Sequence, residues 1–95
     1  MKDSEISKAA LENFLSKVKE LSHLRVRSRG NTVTLESADE YGNIYPHVRF
    51  KKQSVHKWSL EMPVRRGWEP TFIEDSLMDL MKTVIEKFPW ALDPR

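Results

Sequence analysis

Residues 24–36 read Leu24-Arg25-Val26-Arg27-Ser28-Arg29-Gly30-Asn31-Thr32-Val33-Thr34-Leu35-Glu36, and the fold turns on how this stretch is read. Leu24, Val26 and Ser28 alternate with three arginines, and Val33 and Leu35 alternate with Thr32, Thr34 and Glu36. A period of two is that of a strand with one face buried and one in water. Gly30-Asn31 supplies a two-residue hairpin turn, because glycine accepts the positive φ that such turns require. Closing the hairpin there sets Arg29 opposite Thr32, Arg27 opposite Thr34, Val26 opposite Leu35 and Arg25 opposite Glu36. Apolar side chains then meet on one face and opposite charges on the other, and both pairings favour this register.

Outward from the hairpin the period changes. On its N-terminal side, residues 4–22 place Leu11, Phe14, Leu15, Val18 and Leu21 three and four apart, with Ile6 and Ala10 extending the stripe. That spacing predicts an amphipathic helix, with Asp3 or Ser4 capping its first turn. On the other side, residues 37–46 form a longer connection with its turn at Gly42-Asn43. A third strand is expected over 47–52, with Val48 and Phe50 inward and His47, Arg49 and Lys51 outward. Gln53-Ser54-Val55 then turns into a fourth strand over 56–62. It points Trp58, Leu60 and Met62 inward and Lys57, Ser59 and Glu61 outward. The segment 63–70, bounded by prolines, reads as irregular. Thr71-Phe72-Ile73-Glu74 matches a capping box, opening a helix that carries Ile73, Leu77, Leu80, Met81, Val84, Ile85 and Phe88 on one face. Pro89 ends it. The fold class expected is α+β: a two-layer sandwich in the order helix, four-stranded antiparallel meander, helix.

Ninety-five residues fit one domain spanning 1–95. The absence of cysteine excludes disulfides and thiolate metal sites and suits a reducing, cytoplasmic setting. The start, Met1-Lys2-Asp3-Ser4-Glu5, lacks the pattern of a secretory signal, and no apolar run is long enough for a membrane helix. Net charge is only +2, but it is unevenly spread. Residues 24–66 carry nine Lys/Arg against four acids, a balance of +5, while the flanks carry −3. Such asymmetry points to an anionic partner.

Arg49-Phe50, Trp58-Ser59-Leu60, Trp68 and the acidic-apolar helix ending near Pro89-Trp90 carry a resemblance. Over roughly residues 24–92 the chain resembles a family of short bacterial proteins with a domain of unassigned function. It departs from that family at Glu61-Met62, where a Tyr-Trp pair is usual, at Thr71, where an aromatic is usual, and in lacking a glycine-rich C-terminal motif. The resemblance implies an α+β fold and a bacterial or mobile-element origin. It implies no site residues.

The candidate site is the outer sheet face. Arg25, Arg27, Arg29, Arg49, Lys51 and Lys57 share it by strand parity, and Arg65 and Arg66 extend it from the following loop. Alternate residues on a strand lie about 7 Å apart, so the arginines of the first strand form a row. Guanidinium groups offer paired in-plane donors to phosphate oxygens. The function expected is therefore a non-enzymatic binding module contacting a nucleic-acid backbone, against the plainer reading of a solvated face with Arg25–Glu36 paired and Glu61 near His47 or Arg49. No outward position is aromatic, which favours a duplex over a stacked single strand. The helix–sheet–helix order is similar to that of double-stranded RNA-binding domains, but the acidic start of the last helix would repel phosphate there.

Two alternatives belong to other classes. Trp68 and Trp90 could anchor a protein partner, or an open sheet edge could pair with a second copy, as in an immunity or phage-type inhibitor or a homodimer. His47 or His56 beside the basic residues could support a small metal-independent nuclease. His23, His47 and His56 lack metal-ligand spacing, so no metal is expected, and the isolated Gly30, Gly42 and Gly67 supply no phosphate loop or cofactor site. Asp39-Glu40 reads as turn chemistry, and Asp75 and Asp79 as solvated helix charge.

Overall fold

The computed structural model describes residues 3–94, those from 3 to 6 by backbone alone. The alternating hairpin stretch forms β1 (Arg25–Arg29) and β2 (Thr32–Ala38), paired in the register that the sequence dictates, Arg25 to Glu36 through Arg29 to Thr32. Three more strands follow: β3 (Ile44–Ser54), β4 (Lys57–Val64) and β5 (Gly67–Asp75). All pair antiparallel with their sequence neighbours in one five-stranded sheet of order β1-β2-β3-β4-β5. Helix α1 (Asp3–Ser16) packs on β1 and β2, and helix α2 (Leu77–Lys87) packs on β4 and β5. A short 3₁₀ turn, Pro89–Leu92, closes over β3.

The inner face carries Val26, Val33, Leu35, Val48, Phe50, Trp58 and Leu60, all buried against Leu11, Leu15, Leu80, Met81 and Val84 of the helices. Full burial of a Val, Leu or Phe side chain stabilises by roughly 1.5–3 kcal/mol. An exposed ion pair contributes no more than about 1 kcal/mol. The inner face therefore holds the sheet, and the charges on the outer face are free to serve another purpose.

The fifth strand corrects the expectation of four. Residues 63–70, read as irregular because of their prolines, are the ends of a tight hairpin turning at Arg65-Arg66, with Gly67 at φ +134°. The prolines are tolerated for a geometric reason. Pro63 lies beyond Glu61, where the pairing of β3 with β4 ends, and Pro70 sits on the edge strand. A missing N–H costs a ladder little at such places.

The last helix also begins later than expected. Thr71 donates its hydroxyl proton to the Leu60 carbonyl (2.8 Å) and accepts from the Ile73 N–H (3.2 Å), so it ties β5 to β4. The N-cap is Ser76, whose Oγ accepts from the Asp79 N–H at 3.3 Å. Ile73 is a half-buried strand residue packed on the core, not a residue of the helix face. At the other end of the chain α1 stops at Ser16, short of the expected residue 22. Ser16 Oγ donates back to the Asn13 carbonyl at 2.7 Å, Lys17 and Val18 close three-residue bonds, and Val18 is extended. Such local bonds end a helix. A 3₁₀ turn, Lys19–Leu21, still buries Leu21. The expected cap at Asp3 or Ser4 and the stripe position Ile6 rest on side chains outside those described, and Ala10 is exposed.

Candidate anion-binding groove

Strand parity and one bulge decide which polar side chains reach the outer face. Leu35 pairs with Val48 and Glu36 with Pro46, so His47 is an extra residue on β3. A bulge re-aims the side chain it inserts. His47 therefore turns inward and is fully buried, against the expectation that it faces out. Its Nδ1 lies 2.7 Å from the Ala91 carbonyl and its Nε2 lies 2.7 Å from Ser37 Oγ. A carbonyl only accepts, so Nδ1 carries a proton; in the neutral ring Nε2 then accepts from the serine. His23 packs edge-on to His47, 5.9 Å between centroids, and its Nε2 donates to the Leu92 carbonyl at 2.6 Å. The two rings pin the C-terminal 3₁₀ turn to the sheet. His56 sits in the exposed β3–β4 turn. The two histidines weighed for nuclease chemistry are thus parted, and His47 is removed from the basic face.

The outer face is a shallow groove of about 310 Å³ with Arg27, Arg29, Thr32 and Thr34 on the β1–β2 side. Glu36, Ile44, Pro46, Arg49 and Trp68 complete its lining. Two other clefts of similar size lie on the helical side, and neither gathers more than one arginine. Trp68 corrects a further expectation: with β5 in the sheet, an aromatic does stand on the outer face. It is half-buried there, and neither Trp68 nor Trp90 caps the core. The Arg49 guanidinium lies over the Trp68 indole, 4.8 Å from the ring centroid, and its Nε donates to Glu61 Oε1 at 2.7 Å. A cation on the face of an indole is held by the ring quadrupole. Arg49 is thus fixed from two sides.

The cations predicted for this face divide by their partners. Arg25 pairs with the buried Glu36 at 3.3 Å, Arg49 with Glu61, and Lys57 with Glu74 at 4.0 Å. Those pairs neutralise the lower end of β1 and the β4–β5 side. Arg27, Arg29 and Lys51 are exposed and have no carboxylate within 4 Å among the described residues. Arg65 and Arg66 are exposed in the β4–β5 turn, at the end of the sheet away from Arg29. The positive potential is therefore concentrated on β1 and the facing part of β3. Thr32 donates to the Arg29 carbonyl at 2.8 Å, and the Thr34 hydroxyl makes no hydrogen bond among the described residues.

Sequence reasoning put Arg27 and Arg29 on the outer face, where the structure has them, and named Trp68 only as an anchor for a protein partner, not as a residue of that face. The available signal was Arg65-Arg66-Gly67, a turn with glycine beside it, which would have carried the alternation on into Trp68 and Pro70. Among the described residues no cluster of His, Cys, Asp or Glu could hold a metal ion, and no helix is long and apolar enough to cross a membrane. No protein family, curated protein or solved structure matches this chain.

Proposed function

We propose that this protein is a non-enzymatic binding module that contacts a nucleic-acid backbone through Arg27, Arg29 and Lys51 on its outer sheet face. The observation that carries the reading is the pair Arg27–Arg29. They are neighbouring guanidinium groups lining one groove, on a face no helix covers, with no carboxylate within 4 Å among the described residues; Glu36, which also lines the groove, is held by Arg25. Backbone recognition needs such a row, because each phosphate neutralised by a guanidinium releases condensed counterions. Arginine rather than lysine suits the planar, two-point geometry of phosphate oxygens. The acids of the flanks lie mostly on the helical layer and on β5, so an approaching polyanion would be oriented toward β1–β3. Nuclear magnetic resonance mapping with a short labelled oligonucleotide tests this directly. Amide shifts should concentrate on residues 25–34 and 49–51; shifts confined to the helices would refute it.

A second reading rests on Trp90, which is 62 % exposed in the C-terminal 3₁₀ turn and packed edge-to-face on Phe88. Pro89 and Leu92 of the same turn line an apolar cleft of about 300 Å³ with Val18, Leu21 and Ile85. A protein partner or a second copy docking there would associate independently of salt, opposite to the behaviour of the groove.

A further inference from the structure

The same groove carries a sharper assignment, which rests on the reading of its arginines as phosphate contacts. We propose that its occupant is a single-stranded nucleic acid, with one base stacked on the Arg49–Trp68 platform and the flanking phosphates on Arg27 and Arg29.

Three observations carry this. The first is the platform itself. Bases stack on aromatic rings and on arginine planes without regard to sequence, and here a guanidinium lies over an indole within the lining of the groove. The second is its rigidity. Glu61 holds the Arg49 Nε at 2.7 Å, so the platform is formed before any ligand arrives and little side-chain freedom is lost on binding. The third is size. A concavity of about 310 Å³ lies at the lower limit for small-ligand sites, enough for one splayed nucleotide. A duplex keeps its bases inside, so it could meet the arginines but not the platform.

The spacing agrees. Arg27 and Arg29 project about 7 Å apart on β1, a separation comparable to that of successive phosphates along an extended strand. The platform stands across β2 from them, since Arg27 pairs with Thr34 and Thr34 with Arg49. Phosphates along β1 and a base turned inward over β3 would thus both be satisfied by one strand running parallel to β1. Thr34, whose hydroxyl makes no hydrogen bond among the described residues, lies between the two contacts.

The experiment compares fluorescence anisotropy for four probes: an oligo-U and an oligo-dT strand, the same dT strand with abasic sites, and a DNA duplex. Wild type and Trp68→Leu are both titrated. The proposal predicts that an intact strand of either sugar binds more tightly than the duplex. It predicts that abasic sites or Trp68→Leu weaken strand binding roughly tenfold, while the duplex is unaffected by the substitution. The abasic strand tests the stack without altering the protein, so a misfolded variant does not leave the matter open. Equal binding of intact strand, abasic strand and duplex would overturn the base-stacking assignment while leaving the backbone reading in place. No binding of any probe at low salt would overturn both.

Discussion

Among the described residues, Phe72 is the non-glycine residue with a positive φ. Its φ is +64°, in the left-handed region, and its side chain is 87 % exposed, so burial does not compensate. It sits in an irregularity of the edge: three residues of β5, Thr71 to Ile73, oppose the single Leu60 of β4. A side chain in that conformation costs about 1 kcal/mol or more, which glycine avoids at some cost in unfolded-state entropy. Phe72→Gly should therefore leave stability unchanged or raise it by up to about 1 kcal/mol in urea denaturation. A loss larger than that would mean that the ring packs against something its exposure conceals. His47 makes the opposite case. It is fully buried and bonded to Ser37 and the Ala91 carbonyl, so His47→Ala leaves a cavity and strands two polar groups. We expect a loss of roughly 2–4 kcal/mol, with nucleic-acid affinity of the remaining folded protein unchanged, because the ring lies on the inner side of the sheet. Reduced affinity at equal stability would return His47 to the site.

Among the elements, the start of α2 and the β2–β3 loop are each set by one side chain. Ser76→Ala removes the N-cap and should cost about 1 kcal/mol, with faster amide exchange at Asp79. Thr71→Ala should leave that exchange alone, since Thr71 bonds across the sheet to Leu60. If Thr71→Ala instead freed the first turn of α2, the capping box read from the sequence would be correct. The β2–β3 loop is organised by Asp39, whose carboxylate accepts from the Asn43 side chain, the backbone N–H groups of Asn43 and Tyr41, and the Tyr45 hydroxyl. The bond from the Asn43 side chain does most to lower the Asp39 pKa from 3.8 to about 2. The same contact, with the carboxylate charge, raises that of Tyr45. A carboxyl depressed in the folded state contributes stability above its unfolded value of 3.8 and loses it as pH falls through about 2. In that window the unfolded chain binds the extra proton, so Asp39→Asn should flatten the acid limb of the stability profile there; an unchanged slope would contradict the assignment. These elements also mark how far sequence alone reaches. The β1–β2 register, the Arg25–Glu36 pair, the inward Trp58 and the Pro89 stop follow from local pattern and turn chemistry. The bulge at His47 and the strand hidden behind Pro63 and Pro70 do not. Both depend on where a neighbouring strand stops pairing, which no single segment records. Trp68 was misplaced with that strand, and the aromatic half of the groove with it.

At the scale of the molecule, the fold separates two tasks. Apolar burial between helices and inner face supplies the stability, and the outer face collects charge that stability does not require. On that face β4 and β5 supply acids that tie down Arg49 and Lys57, leaving Arg27 and Arg29 as the cations nearest the groove without a counter-charge among the described residues. The balance of +5 in the middle of the chain thus resolves into a local cluster of cations on β1, with Arg65 and Arg66 a separate exposed pair at the opposite end of the sheet. Arg25 is held by the buried Glu36, so Arg25→Ser is expected to leave the number of phosphate contacts, and with it the log–log salt slope, unchanged. The central claim is that Arg27 and Arg29 contact phosphates. The most direct test is the salt dependence of anisotropy for a labelled single strand with wild type, Arg27→Ser/Arg29→Ser and Arg65→Ser/Arg66→Ser. Each phosphate contact contributes about −0.7 to the log–log slope. Loss of two contacts should make the Arg27/Arg29 variant shallower by about 1.4, while the Arg65/Arg66 variant keeps the wild-type slope. A slope unchanged by Arg27→Ser/Arg29→Ser, or no binding by wild type at low salt, would contradict the account.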